Sequence, residues 1–132
     1  MNADGSNQRE LLAKDLHGWV FPAWSPDGQQ LLFSGMLENG SIQLFVANAD
    51  GKGAEQITNG DGTNSWAAWS PDGRYIAYIH YDKPPDPARG YALDPAGGRL
   101  MLIDLTSDTR RQVAPGDMRC FGCRPAWRPT RR

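Results

Sequence analysis

The pentapeptide Trp-Ser-Pro-Asp-Gly occurs twice, at Trp24–Gly28 and Trp69–Gly73, and this 45-residue spacing constrains the fold more than any other feature of the chain. Proline presets its own φ and glycine accepts positive φ, so Ser-Pro-Asp-Gly reads as a tight reversal between two paired strands. The flanks repeat with the turn. Phe21-Pro22-Ala23-Trp24 and the run to Ser34 align without a gap on Trp66-Ala67-Ala68-Trp69 and the run to Ile79. We label the strand before the turn A and the strand after it B.

Short apolar runs follow in both copies, Gln43–Ala47 and Arg99–Ile103, and read as a strand C. Turns at Asn48-Ala49-Asp50-Gly51 and, less regularly, Asp104–Asp108 lead to the D strands Glu55–Thr58 and Arg111–Ala114. One repeat is therefore four antiparallel strands. Four-stranded units recurring at about 45 residues are the signature of β-propeller blades. Fifteen Gly, ten Pro and five Trp fit such a turn-rich all-β chain, and no run suits a long helix.

The register of the ends follows from the same comparison. Asn2-Ala3-Asp4-Gly5 matches the C-to-D turn, and Pro125-Ala126-Trp127 matches Pro22-Ala23-Trp24. This divides the chain into a trailing D strand (1–18), blade one (19–60), blade two (61–115, with an insertion over 80–98) and a leading A strand (116–132). Two complete blades with partial flanking blades do not close a ring of roughly four to eight. The expectation is an incomplete or assembling propeller, finished by self-association into a homo-oligomer or within a larger protein, because isolated blades leave apolar faces uncovered.

The pattern from Pro22-Ala23-Trp24-Ser25-Pro26-Asp27-Gly28 through Leu44-Phe45-Val46, Asn48-Ala49-Asp50-Gly51 and Gln56-Ile57-Thr58 resembles the WD-like propeller repeat of the TolB type. That repeat is found also in the propellers of prolyl-oligopeptidase-like peptidases. The chain lacks the Gly-His and Trp-Asp pairs of ordinary WD repeats. The resemblance implies envelope protein partners bound at the channel mouth and a periplasmic or extracellular setting. Met1-Asn2-Ala3-Asp4-Gly5 shows neither the basic nor the apolar region of a signal peptide.

Blade topology puts the short, stereotyped A-to-B and C-to-D turns at one end and the B-to-C and D-to-A connections at the other. The second set differs between repeats, and variable loops on a rigid scaffold are where binding residues collect. Trp19, Trp66, Tyr81, Tyr91 and Phe121 fall at this end, with Arg119 and Arg124 near the channel, and aromatics with arginine favour protein contacts. A packing role competes with this for Trp66, which shares its repeat position with Phe21, as it does for Trp24, Trp69 and Trp127.

Other groups argue against chemistry by this chain. Asp27 and Asp72 stand in equivalent turns, where an Asp hydrogen-bonds its own backbone. Cys120-Phe121-Gly122-Cys123 is a single C-x-x-C without a thioredoxin-like context, read as a local disulfide or free thiols, with a zinc half-site as the alternative. His17 and His80 lie in different blades, and no Gly-x-Ser-x-Gly elbow or phosphate-binding glycine loop occurs. No cofactor, resident metal or catalytic residue is expected.

The net charge of −1 argues against nucleic acid, although residues 110–132 hold seven Arg against the single acid Asp117, and no apolar stretch approaches membrane-spanning length. The expected function is a non-catalytic protein-interaction scaffold. The alternatives are an accessory or gating propeller of a prolyl-oligopeptidase-like hydrolase, and a propeller binding carbohydrate or another small ligand.

Overall fold

In the computed structural model the described residues are 22–50, 52–84, 88, 98–113 and 127. They form eight strands: β1 (Ala23–Trp24), β2 (Gln30–Met36), β3 (Ile42–Asn48), β4 (Glu55–Gln56), β5 (Thr63–Trp69), β6 (Tyr75–Tyr81), β7 (Arg99–Asp104) and β8 (Thr109–Gln112). Each of β1 to β4 pairs antiparallel with the next, and so does each of β5 to β8. The four-stranded antiparallel unit expected from the repeat thus occurs twice. One parallel bridge, Ile42 opposite Thr63, joins the two blades, and the Ile42 amide donates to the Gly62 carbonyl at 3.2 Å.

Both Ser-Pro-Asp-Gly turns are built alike, atom for atom. In the first, the Ser25 hydroxyl donates to Asp27 Oδ1 at 2.6 Å, the Gln29 amide donates to the same oxygen at 3.0 Å, and the Gly28 amide closes on the Ser25 carbonyl at 2.9 Å. Ser70, Asp72, Arg74 and Gly73 repeat these bonds at 2.6, 3.0 and 2.9 Å. Gly28 and Gly73 take φ of 71° and 74°, which explains the glycine at this position. The two aspartates are turn-formers, as their repeat position implied.

The D strands differ from expectation in extent. Strand β4 stops at Gln56 because the next acceptor in the ladder is a side chain: the Leu44 amide donates to Thr58 Oγ1 at 2.8 Å instead of to a carbonyl. Strand β8 starts early, at Thr109, paired with Asp104.

Alternation along the strands sends one set of side chains between the blades and the other set outward. Leu32 and Leu44 of blade one meet Ala67, Trp69, Ile76, Tyr78 and Ile103 of blade two, with Ala23, Val46, Ile57 and Met101 at the margin. Leu32 and Ile76 are completely buried. Each such aliphatic side chain stabilises the fold by roughly 1.5–3 kcal/mol relative to exposure. On the far face of blade one, Phe33 stacks on Phe45 with ring centroids 5.4 Å apart, beside Leu31 and Ala47.

Polar bonds give this packing its register. The Trp69 indole N–H donates to the Ala23 carbonyl at 3.1 Å, and the Trp127 indole N–H donates to the Ala68 carbonyl at 3.2 Å. Ala23 and Ala68 occupy one repeat position and Trp69 and Trp127 another, so both of these tryptophans reach back to the preceding A strand. Trp127 also lies over Tyr75 with centroids 6.3 Å apart.

Candidate functional site

The two ends of the blades differ in chemistry. At the end carrying the repeated turns, a depression of about 370 Å³ is lined by Ser25, Pro26, Asp27, Gln30, Trp69, Pro71, Asp72 and Gly73. Its polar atoms are committed to the turns themselves. The Ser25 hydroxyl and the Gln29 amide hold the Asp27 carboxyl below its ordinary range, and the Ser70 hydroxyl and Arg74 amide do the same for Asp72.

Nearby, Arg74 forks onto Asp104 with N–O distances of 3.3 and 3.0 Å, and its guanidinium lies 5.0 Å from the Tyr75 ring centre. Hydrogen bonding from Arg74, then from the Thr106 and Ser107 amides, brings the Asp104 carboxyl down to about 2. Because the folded-state value lies below the ordinary 3.8, this contribution is full above the ordinary value and is lost as pH falls through about 2. Asp104→Asn is therefore expected to melt lower than the native chain near neutral pH, and the two melting curves should converge as the pH approaches about 2, as followed by circular dichroism.

At the opposite end, where the B-to-C and D-to-A connections run, a cleft of about 250 Å³ opens between the blades. Its walls are Thr58 and Asn59 after β4, Asn64 on β5, Tyr78 and His80 on β6, Arg99 and Met101 on β7, and Arg110 and Gln112 on β8. Desolvation raises the Tyr78 phenol above its usual value, the nearby Arg110 charge opposing this in part.

A buried polar chain fixes one wall of the cleft. Gln43 is fully buried, and its amide nitrogen donates to the Gly60 carbonyl at 2.8 Å and to Ser41 Oγ at 3.2 Å. Its carbonyl oxygen accepts from Thr58 Oγ1 at 2.8 Å and from Asn64 Nδ2 at 2.9 Å. Since the Asn64 nitrogen donates to Gln43 and to the Ile42 carbonyl, its oxygen is the acceptor left for His80 Nδ1, at 2.7 Å. The other ring nitrogen of His80 lies 3.2 Å from Asp82 Oδ1. Arg99 grips the same carboxylate with both terminal nitrogens, each at 3.0 Å. The path from Ser41 to Arg99 thus crosses from one blade to the other.

Arg110 spans the blades as well. Its Nε donates to the Ile57 carbonyl at 3.1 Å, Nη2 donates to that carbonyl too, and Nη1 approaches Asp108 Oδ1 at 3.4 Å. Gly62 brings the D-to-A connection against β6 so closely that a Cβ there would collide with the Tyr81 carbonyl.

Of the aromatics and arginines expected at this end, two are described. Trp66 takes φ of 57° at an irregularity in the pairing of β5 with β6 between Ser65 and Ala68, and packs half-buried against Ile79, Tyr81 and Leu100. Tyr81 is buried in the same cluster, and burial raises its phenol. Trp66 and Tyr81 thus sit together, apart from the residues that wall the cleft. Trp19, Tyr91, Arg119, Phe121 and Arg124 lie outside the described residues, as do His17, Cys120 and Cys123. Among the described residues no group of three or more His, Cys, Asp or Glu is placed to hold a metal ion.

The residues that wall this cleft are not those singled out from the sequence at this end. The signal for Gln43 and Asn64 was present: each is an amide in a strand whose neighbours are apolar or small, a position that must find partners when buried. No pattern could show that they would find each other.

No family model matches the chain. It is 36% identical over 75 residues to the Tol-Pal system protein TolB of Francisella tularensis, across 56% of this chain and 17% of that protein. It is 38% identical over 55 residues to the uncharacterized peptidase YuxL of Bacillus subtilis, across 42% of this chain and 8% of the peptidase. Its fold matches a putative TolB from Agrobacterium tumefaciens with a TM-score of 0.57 at 24% identity, over 80% of this chain and 37% of that one. It matches a puromycin hydrolase with a TM-score of 0.57 at 24% identity, over 86% of this chain and 16% of that one. The chain therefore spans less than a fifth of the curated relatives' length.

Proposed function

We propose a non-catalytic protein-interaction role for this chain, which is built of TolB-type β-propeller repeats. The observation that carries the reading is the inter-blade cleft. It opens at the end whose connections differ between repeats, and its walls include the polar side chains of Asn59, His80, Arg99, Arg110 and Gln112. At the opposite end the serine and aspartate side chains of the two repeated turns are bonded to each other. His80 supports a binding role over a catalytic one, since its ring nitrogens engage Asn64 and Asp82 and not a serine or cysteine.

Completion of the ring, by a second copy or within a larger propeller, belongs to the same reading. Trp24 is 54% exposed, whereas its repeat mate Trp69 is buried against blade one.

Selection of random peptides on the full chain tests the reading. Enriched peptides should bind the native chain and lose at least about tenfold in affinity on Asn59→Arg, which fills the cleft mouth with a long cation, but not on Gln29→Arg at the other end. Equal loss at both ends, or turnover of aminoacyl-amide substrates by the purified chain, overturns it.

A second reading, an accessory propeller of a hydrolase, is favoured by the identity with YuxL. A hydrolase domain with a Gly-x-Ser-x-Gly elbow in the same reading frame would select it.

A further inference from the structure

We propose that Arg99 and His80, on the wall of the inter-blade cleft, form a carboxylate-recognition site, that Asp82 of this chain engages it from the rim, that Arg110 adds positive charge to the same cleft, and that an acidic group of a peptide partner displaces Asp82. The proposal rests on the protein-interaction reading above and names the partner's chemistry.

The charges are arranged for it. Arg99, Arg110 and His80 all line the cleft, whereas the acids paired with them, Asp82 and Asp108, do not. Those acids are the more exposed partners: the Asp82 and Asp108 side chains are 61% and 85% exposed, against 39% and 37% for Arg99 and Arg110. The cleft wall therefore carries two guanidinium groups and neutral side chains, with the paired carboxylates at its rim. An incoming anion that replaces Asp82 meets the Arg99 charge with the Arg110 charge nearby.

The geometry specifies a carboxylate. Arg99 offers both terminal nitrogens to the two oxygens of Asp82 at equal distance, the fork geometry that matches a planar carboxylate. His80 adds a third contact, and its ring is locked in place by Asn64, which is itself held by the buried Gln43. In the imidazolium form both ring nitrogens donate, one to Asn64 and one to the carboxylate. His80 is thus held by the fold before any partner arrives, which lowers the cost of ordering it on binding, while Asp82 itself orients Arg99.

Exchange is feasible because the internal occupant is weakly held. An ion pair this exposed is screened and contributes little to stability. Removing Asp82 leaves His80 anchored by Asn64 and Arg110 by the Ile57 carbonyl, and releases the Arg99 fork for another carboxylate. At about 250 Å³ the cleft lies below the usual range for drug-sized ligands and suits a single acidic residue or chain terminus.

The test is a titration of the 132-residue chain, followed by amide resonances, with three short alanine peptides. One carries a central Glu and blocked ends, one carries a free C-terminal carboxylate and no acidic side chain, and one is neutral throughout. Either carboxylate peptide should shift the resonances of Asn59, Asn64 and His80, and comparison of the two identifies side chain or terminus as the preferred source. Asp82→Asn should raise affinity for the preferred peptide about tenfold, and Arg99→Lys, which keeps the charge but loses the fork, should lower it about tenfold. Melting temperatures of both variants close to that of the native chain exclude misfolding as the cause. Unchanged affinity in Asp82→Asn overturns the proposal, as does equal binding of the neutral peptide. In the latter case the cleft is still a peptide surface, so the interaction reading survives while the carboxylate assignment fails.

Discussion

Trp69→Ala should destabilise the chain by about 3–5 kcal/mol in equilibrium urea unfolding, whereas Trp24→Ala should cost about 1 kcal/mol or less. The two residues hold the same place in the repeat, so propensity and turn chemistry are matched and only the tertiary setting differs. Trp69 is 9% exposed and packs with Leu32, Leu44, Ile76 and Ile103, where truncation leaves a cavity across the inter-blade seam. Trp24 is 54% exposed. Trp69→Phe should cost less than Trp69→Ala, since it keeps a buried aromatic ring while removing the bond to the Ala23 carbonyl and part of the indole's volume. Equal losses in the two alanine variants would show that the seam does not hold the blades together. A loss of this size is a large fraction of the stability of an ordinary domain, roughly 5–15 kcal/mol.

Gln43→Leu is expected to cost about 2–4 kcal/mol, although it replaces a buried polar side chain with an apolar one of similar size. The reason is what it strands. Thr58 Oγ1 and Asn64 Nδ2, both on buried residues, lose the oxygen they share, and the Gly60 carbonyl loses its donor. Burial of an unpaired donor costs more than the original bond contributed. The double variant Gln43→Leu/Asn64→Leu should lose less than the sum of its single variants, because removing both partners leaves fewer stranded groups. Additive losses would mean that the two amides act independently and that no continuous path supports His80. Amide exchange across residues 58–64 provides a second readout, and should quicken in Gln43→Leu more than exchange within β6 does.

The strands and turns were legible because their determinants are local. Ser-Pro-Asp-Gly specifies its own reversal, and the short continuous apolar runs within Gln30–Met36 and Tyr75–Tyr81 specify strands buried on both faces. The D strands were misjudged by a few residues because Thr58 substitutes a side-chain oxygen for a ladder carbonyl, and spacing does not reveal that choice. The cleft was less legible still. Its walls come from both blades, and its arginines could be read as solvated surface charges until Ile57 of the other blade was seen to accept from Arg110.

The sequence by itself determined the repeat, the period and the end of each blade where connections vary, since these follow from dihedral preferences and periodicity within a few residues. Only the tertiary structure decided which tryptophan is a buried rung and which is exposed, and which polar residues meet in the cleft. Both depend on contacts between blades, made by residues tens of positions apart, such as Trp69 with Ala23 and Arg110 with Ile57. Their energies come from excluding water at a seam that exists only once both sheets have formed.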